Sequence, residues 1–330
     1  MNIPNFENST NTISKLLRAL EEVIKGRSDT IRLVLTGLVA DGHVLLEDYP
    51  GSGKTTLAKT LGRLIARDST YTTEEHILPF RRIQFTPDML PGDVLGVNVF
   101  EPKTGGFHFI HGPVFAHILL ADEINRTGPK VQAAFLECMA EKQVTIDNNT
   151  HKLDDLFFVI GTQNPLDVAG TYPLPLVQLD RFLLKVPMSY VDSKTEIEIL
   201  AKHNQIKDNV NNVAPVCTRN DIISARAACS QVHISDNLRK AIVNIVQATR
   251  SNQLIQFGAS TRAAIMIQTA LQGWALVNGR DHATEDDLKF ITPYVLLHRL
   301  KIHAGAGTPM QALDNLITPH IEELVSKGLH

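Results

Sequence analysis

The sequence predicts an α/β domain built on a parallel sheet, followed by a smaller all-helical domain. Three observations carry that prediction. Five short apolar runs, at 43–47, 82–85, 118–121, 157–160 and 182–186, alternate with helical segments. Short strands that are apolar throughout are those buried on both faces, as in a parallel sheet between helices. After about Tyr190 the strand signals fade and helix starts take over. The expected division is therefore 1–190 for the sheet domain and 191–330 for the helical one.

Each element has its own signal. Ile13, Leu16, Leu17, Leu20 and Ile24 recur at helical spacing, and Gly26 is expected to end that helix. A second helix is expected over about 29–39, then a buried strand at 43–47. Pro50, Gly51 and Gly53 break the strand, and 54–66 reads as a helix. In the second half, Ser193-x-x-Glu196, Thr218-x-x-Asp221 and Thr284-x-x-Asp287 fit the capping box, in which a hydroxyl and a carboxylate satisfy free amides of the first turn. Amphipathic stretches follow at about 237–249, 261–277 and 286–297.

Composition narrows the function. The 330 residues are 43% hydrophobic and 20% charged, the range of a globular protein. A formal net charge of −3 argues against a protein held on DNA by overall charge. Three cysteines, Cys138, Cys217 and Cys229, form no C-x-x-C pair and read as reduced thiols. The first residues are polar, and no apolar run approaches the about 18 residues a membrane span needs. The expectation is a cytoplasmic protein with no membrane insertion.

The strongest chemical signal is the run Asp48, Tyr49, Pro50, Gly51, Ser52, Gly53, Lys54, Thr55 and Thr56. It follows an apolar strand and opens a helix, the context of a phosphate-binding loop. Glycines let successive N–H groups turn toward a polyphosphate, and the helix N-terminus adds its dipole. Lys54 is expected on the outer phosphates of ATP and the Thr55 hydroxyl on Mg²⁺. The strict pattern begins with Gly, and Asp48 stands there instead.

A second strand ends in Asp122 and Glu123. Beside a phosphate loop, Asp122 would hold the Mg²⁺ and Glu123 would act as general base on the attacking water. Alone, such a pair also fits a solvated strand end. A third strand leads to Thr162, Gln163, Asn164 and Pro165, where Asn164 either contacts the γ-phosphate or caps a turn. Arg181 precedes the last strand and Arg262 opens a helix of the second domain. Phosphoryl transfer needs such cations, although a surface salt bridge is an equally ordinary use of each.

With these residues in hand, the chain resembles the MoxR family of AAA+ ATPases over nearly its full length. The resemblance rests on Leu45 to Thr55, Ala121 to Arg126, Thr162 to Pro165, and Gly170 to Pro175 leading into Gln178 to Phe182. It implies an AAA+ core with a five-stranded sheet and a helical lid. It makes Asp122 and Glu123 the Walker B pair, Asn164 the first sensor and Arg262 the second sensor. Arg181 becomes an arginine finger acting on ATP held by a neighbour. It also implies a ring, expected to be a hexamer, that remodels or matures a protein client such as a metalloenzyme, with a von Willebrand factor A-domain protein as partner. Thr261 stands where the family often has Pro, which touches the start of the lid helix.

Residues 86–113 resemble the insertion that MoxR proteins share with magnesium chelatases and MCM helicases. A β-hairpin is expected over 142–153 with Asn148 and Asn149 as its turn. Either element could contact substrate or only pack locally. Two alternative functions follow from the insertion. An MCM-like nucleic-acid motor would need a basic track, but Lys103, Lys142 and Lys152 are offset by Asp93, Glu101, Asp147 and Asp154, so nucleic acid is not the expected partner. A magnesium-chelatase-like ATPase subunit is the other alternative. A small-molecule P-loop kinase would leave Arg181, Arg262 and the helical half without a use. His108, His111 and His117 match no metal-binding spacing and read as core or surface histidines.

Overall fold

A computed structural model describes residues 5–48, 51–67, 76–103, 105–164, 170–303 and 308–328, and of Asp48, Asn211, Lys327 and Gly328 the backbone only. Five parallel strands form the central sheet: β1 (His43–Asp48), β2 (Leu78–Gln84), β3 (Ala116–Asp122), β4 (Phe158–Gln163) and β5 (Phe182–Met188). Their spatial order is β5-β1-β4-β3-β2. Because every pair is parallel, all five C-terminal ends lie on one edge of the sheet.

Alternation within the apolar runs explains why both faces are covered. Val44, Leu46, Ile118, Leu120, Phe158 and Ile160 join one core cluster. Leu45, Leu119, Ala121 and Val159 point the other way, into a cluster with Phe85, Phe135 and Met139. Side chains that alternate across a strand need a cover on each side. The first cluster continues into the helices Phe6–Val23 and Ser28–Val39 and on into the second half, through Ile267, Leu271 and Trp274 of helix Thr261–Val277. The helical half thus shares a core with the N-terminal helices.

The helix starts hold two of the three expected capping boxes. Thr218 with Asp221 and Thr284 with Asp287 make reciprocal bonds. The third is corrected: helix Ser193–Ala201 is capped by Asp192, whose carboxylate accepts from the Thr195 N–H at 2.8 Å. An ionised acceptor one residue earlier supplies the stronger cap. The helical half also carries a two-stranded pair, Ile255–Phe257 with Lys301–Ile302.

Two hairpins project from the sheet domain. Residues 86–113 form the short helix Pro91–Leu95 and a hairpin of Gly96–Glu101 with Gly106–His111. The second hairpin pairs Gln143–Ile146 with Asn149–Lys152. Its turn is therefore Asp147 and Asn148, not Asn148 and Asn149. Both turn residues have positive φ, at 49° and 66°, which a two-residue hairpin turn demands and Asp and Asn tolerate. The hairpins touch through the stacked rings of Phe109 and His151 and a 2.8 Å bond from Asn98 to Asp147.

His111 stacks on His76, and burial with nearby His76 and His151 holds it down at about 4. His117 is buried beside Asp154. Among the described residues, no group of three or more His, Cys, Asp or Glu could hold a metal ion. The three cysteines are buried and unpaired. No helix among the described residues is long and apolar enough to cross a membrane.

Candidate nucleotide-binding site

The loop after β1 leads directly into helix Lys54–Leu64, whose N-cap is Gly53. Gly51 and Gly53 have φ of 82° and 92°, and a Cβ on either would meet nothing within 4 Å. The loop thus bends as only glycine does without strain, and open space lies above it. The first N–H groups of a helix have no carbonyl partner within it, and the helix dipole adds positive potential at this end, which suits an anion. Ser52 is buried, and Lys54, Thr55 and Thr56 are half-buried. Tyr49, Pro50 and Pro165, which the sequence reading included, lie outside the described residues, as does the Asp48 side chain.

The β3 end sits beside this loop. Asp122 is 2% exposed, and Lys54 Nζ lies 3.2 Å from its Oδ1. Arg82, from β2, reaches Oδ2 through Nη2 at 2.6 Å and Nε at 3.2 Å. The Thr162 hydroxyl, from β4, donates to Oδ1 at 2.7 Å. Burial pushes the Asp122 carboxyl up, but the Thr162 bond, Arg82 and Lys54 together outweigh it and hold the group below its ordinary value. The carboxylate is therefore ionised and surrounded by cations.

Glu123 follows in a left-handed conformation, φ 58° and ψ 53°, that a side chain other than Gly, Asn or Asp rarely adopts. Thr162 holds it there, because the same hydroxyl accepts the Glu123 N–H at 2.9 Å. The Glu123 carboxylate takes a bond from Gln84 at 2.7 Å and lies 3.0 Å from Arg126. Asn164 follows β4 directly, so it belongs to the same edge of the sheet.

Arg181 and Arg262 lie elsewhere. Arg181 precedes Phe182, which pairs with His43 at the start of β1, whereas the phosphate loop follows Asp48, which pairs with Met188. The two places are separated by the length of a six-residue strand, about 17 Å at 3.3 Å per step. Arg262 is on that far side too, 3.5 Å from Asp180, with its side chain 62% exposed. Asp180 is held through its other oxygen by Arg299 at 2.8 Å, a buried residue that also donates to the Phe182 and Leu183 carbonyls. Thus Lys54, Asp122, Glu123 and Asn164 come together, while Arg181 and Arg262 come together at the opposite edge.

The structure adds residues that the sequence did not single out. Arg82, Gln84 and Thr162 contact the two carboxylates directly. A cavity also opens from Gly51, Ser52 and Gly53 along Ile24, Tyr190, Val191, Ile199, Leu200 and Ile206. An apolar cleft that continues from a phosphate loop suits a nucleobase. Ile24 and the pair Tyr190 and Val191 follow the last turn of a helix and of a strand, and an apolar residue just past an element's end is the one signal that could have marked them.

Comparison with known proteins bears on the family and the fold. Residues 43–184 match the model of an ATPase family associated with various cellular activities, and residues 247–318 match an AAA lid domain. An uncharacterised protein, YeaC of Bacillus subtilis, is 41% identical over 294 residues, covering 89% of this chain and 88% of its own. Chaperone MoxR1 of Mycobacterium tuberculosis is 34% identical over 319 residues, covering 94% of this chain and 79% of its own. A crystal structure of a protein provisionally assigned as an ATPase, from Cytophaga hutchinsonii, superposes with a TM-score of 0.84 at 35% identity, covering 96% of each chain.

Proposed function

Because the chain belongs to the MoxR family of AAA+ ATPases, we propose that it hydrolyses Mg-ATP at a site shared between two copies and uses the energy to remodel a protein client. The observation that carries this reading is the division of the site across the sheet. The phosphate loop, Asp122, Glu123 and Asn164 occupy one edge, and Arg181 and Arg262 the other. A subunit so built cannot place either arginine on its own ATP. A neighbour stacked in the same orientation offers both. That arrangement is heterologous and closes into a ring, for which a hexamer is the proposed size.

In this reading Gly51, Ser52, Gly53, Lys54, Thr55 and Thr56 hold the phosphates, with Asp48, Tyr49 and Pro50 completing the loop. The residues fit a magnesium ion: a buried ionised carboxylate at Asp122 and the hydroxyl of Thr55 face a triphosphate that supplies further oxygens. Bound there, the metal neutralises charge on the phosphate oxygens. Lys54 and Arg82 hold Asp122 in its place. Glu123 orients and deprotonates the attacking water, and Asn164 aligns it. Arg181 and Arg262 of the neighbour stabilise charge developing at the γ-phosphate. Residues 1–190 act as the nucleotide-binding domain and 191–330 as the lid.

That the relative MoxR1 of Mycobacterium tuberculosis is named a chaperone supports a protein client. Maturation of a metalloenzyme or a larger complex, with a von Willebrand factor A-domain partner, is the proposed form of that work. Nucleic acid is not proposed, since Lys142 is bound to Asp41 at 2.8 Å and offers no free charge beside the hairpin. The test pairs two variants. Glu123→Gln should bind ATP with little change and lose turnover, and Lys54→Ala should lose binding. Full turnover in Glu123→Gln would remove the general base from this account.

A further inference from the structure

Gln132 lies in the first turn of helix Pro129–Glu141 and is 1% exposed. Its amide nitrogen faces three backbone carbonyls, those of Tyr172 at 3.0 Å, Thr127 at 3.1 Å and Ile124 at 3.3 Å. Carbonyls only accept, so the nitrogen and not the oxygen of the amide must point at them. The position suits Gln closely: Asn is shorter, ionised Glu donates nothing, and Lys or Arg would bury a charge.

The three carbonyls belong to two separate segments. Ile124 begins the turn Ile124–Arg126 and Thr127 ends it. That turn follows Glu123 and closes on it, through a bond from the Arg126 N–H to the Glu123 carbonyl at 2.9 Å. Tyr172 belongs to the segment that leads to Arg181. A second strut joins the same two segments, because the Tyr172 N–H donates to the Asn125 carbonyl at 2.7 Å. From Tyr172 onward the chain has little freedom. Pro173 and Pro175 fix φ, and Leu174 between them enters the same buried cluster as Ile124 and Phe135. Helix Leu176–Leu179 follows, and the Arg181 N–H donates to the Gln178 carbonyl at 3.1 Å.

We propose that Gln132 is a positioning residue that couples the two edges of one subunit. It clamps the turn behind the subunit's own Glu123 to the segment carrying the Arg181 that it lends, so occupancy of its own site changes how well that arginine works. The proposal rests on the shared site and deepens it by naming the link inside each copy. Coupling between distant sites is carried by packed side chains and hydrogen bonds, and every link here is one of these or a proline. ATP meets one end of the path at Asp122 and Glu123, and the other end carries Arg181.

Three variants provide the test. Arg181→Ala holds ATP and needs a lent arginine. Lys54→Ala lends Arg181 from an empty site, and Glu123→Gln lends it from a site that holds ATP without turnover. Phosphate release by Arg181→Ala subunits is compared in equal mixtures with each lender, at saturating Mg-ATP and at a concentration where sedimentation shows both mixtures assembled. The two rates should differ about fivefold or more, the lower range of coupling between sites. Gln132→Met nearly keeps the volume and removes the donor, so placed in both lenders it should bring the rates within about twofold of each other. A purely structural role would lower both rates and leave their ratio unchanged. Tyr172→Pro removes the N–H of the second strut at an exposed residue, and it should collapse the ratio in the same way if Gln132→Met does not fold.

Equal rates with the two unmodified lenders, or a ratio that survives Gln132→Met, would overturn the inference and leave the shared site in place. Mixtures that release no more phosphate than their parts would overturn the shared site itself, and the inference with it.

Discussion

Replacing Thr162 by Val removes one oxygen and keeps the shape, and the structure assigns that oxygen two tasks. Its hydroxyl donates to Asp122 at 2.7 Å and accepts the Glu123 N–H at 2.9 Å. A hydrogen bond to a charged group contributes about 1.5–3 kcal/mol, and an unpaired buried N–H costs about 1–3 kcal/mol. Glu123 also sits in a left-handed conformation that costs about 1–2 kcal/mol and persists because Thr162 holds it. Without that hold, the backbone relaxes and the general base leaves its position. A misplacement worth about 3 kcal/mol at the transition state lowers turnover about a hundredfold. The assay is steady-state phosphate release at saturating Mg-ATP, with thermal unfolding as a check on folding. ATP binding, governed by Lys54 and the loop, should change little. A folded Thr162→Val chain with turnover within about threefold of wild type would refute the reasoning.

Other expectations concern the groups around the site. Gln84→Ala removes the bond that holds the Glu123 carboxylate aside at 2.7 Å, so basal hydrolysis should rise a few-fold; a fall would show that Gln84 holds Glu123 in its working position. Asp154 is buried, which pushes its carboxyl up, but bonds from His117, the Leu156 N–H and Arg219 hold it at about 2. Its folded value lies below the ordinary 3.8, so its contribution is present above about pH 4 and lost as pH falls toward 2. Asp154→Asn should therefore lower the unfolding free energy at pH 7, by on the order of 2 kcal/mol, measured by urea titration, and equal stability there would contradict the assignment. Burial holds His43 down at about 4, so the unfolded chain takes up the proton first as pH falls below 6.5. Stability should drop by about 2 kcal/mol between pH 7 and 5 from this residue, and His43→Asn should reduce that slope.

What the sequence revealed followed from contiguity. Strands buried on both faces must be apolar nearly throughout, so the central runs stood out, whereas edge strand β2 buries only Ile83 and was legible over 82–85 alone. The phosphate loop and the Asp122–Glu123 pair are each continuous in the chain and carry their context with them. The helix caps at Thr218 and Thr284 are equally local. Thr162, Arg82 and Gln84 were not legible, because their contacts depend on which strands are neighbours. Thr162 meets Asp122 only since β4 lies beside β3, and Arg82 and Gln84 only since β2 pairs with β3 in a register that sets Gln84 against Asp122. The far-side placement of Arg181 and Arg262 has the same origin, since a parallel sheet sends strand starts and strand ends to opposite edges. The two local errors, at the 147–148 turn and the Asp192 cap, are shifts of one residue between neighbours that both suit the role.

The division of the site is tested most directly by mixing two inactive chains. Lys54→Ala cannot hold ATP but still presents Arg181, and Arg181→Ala holds ATP but offers no arginine. Each alone should release little phosphate, and an equal mixture should recover up to about a quarter of the wild-type rate per subunit, through the contacts that unite an intact loop with an intact arginine. A mixture that only adds its parts, or an Arg181→Ala chain as active as wild type, would contradict a site completed by a neighbour.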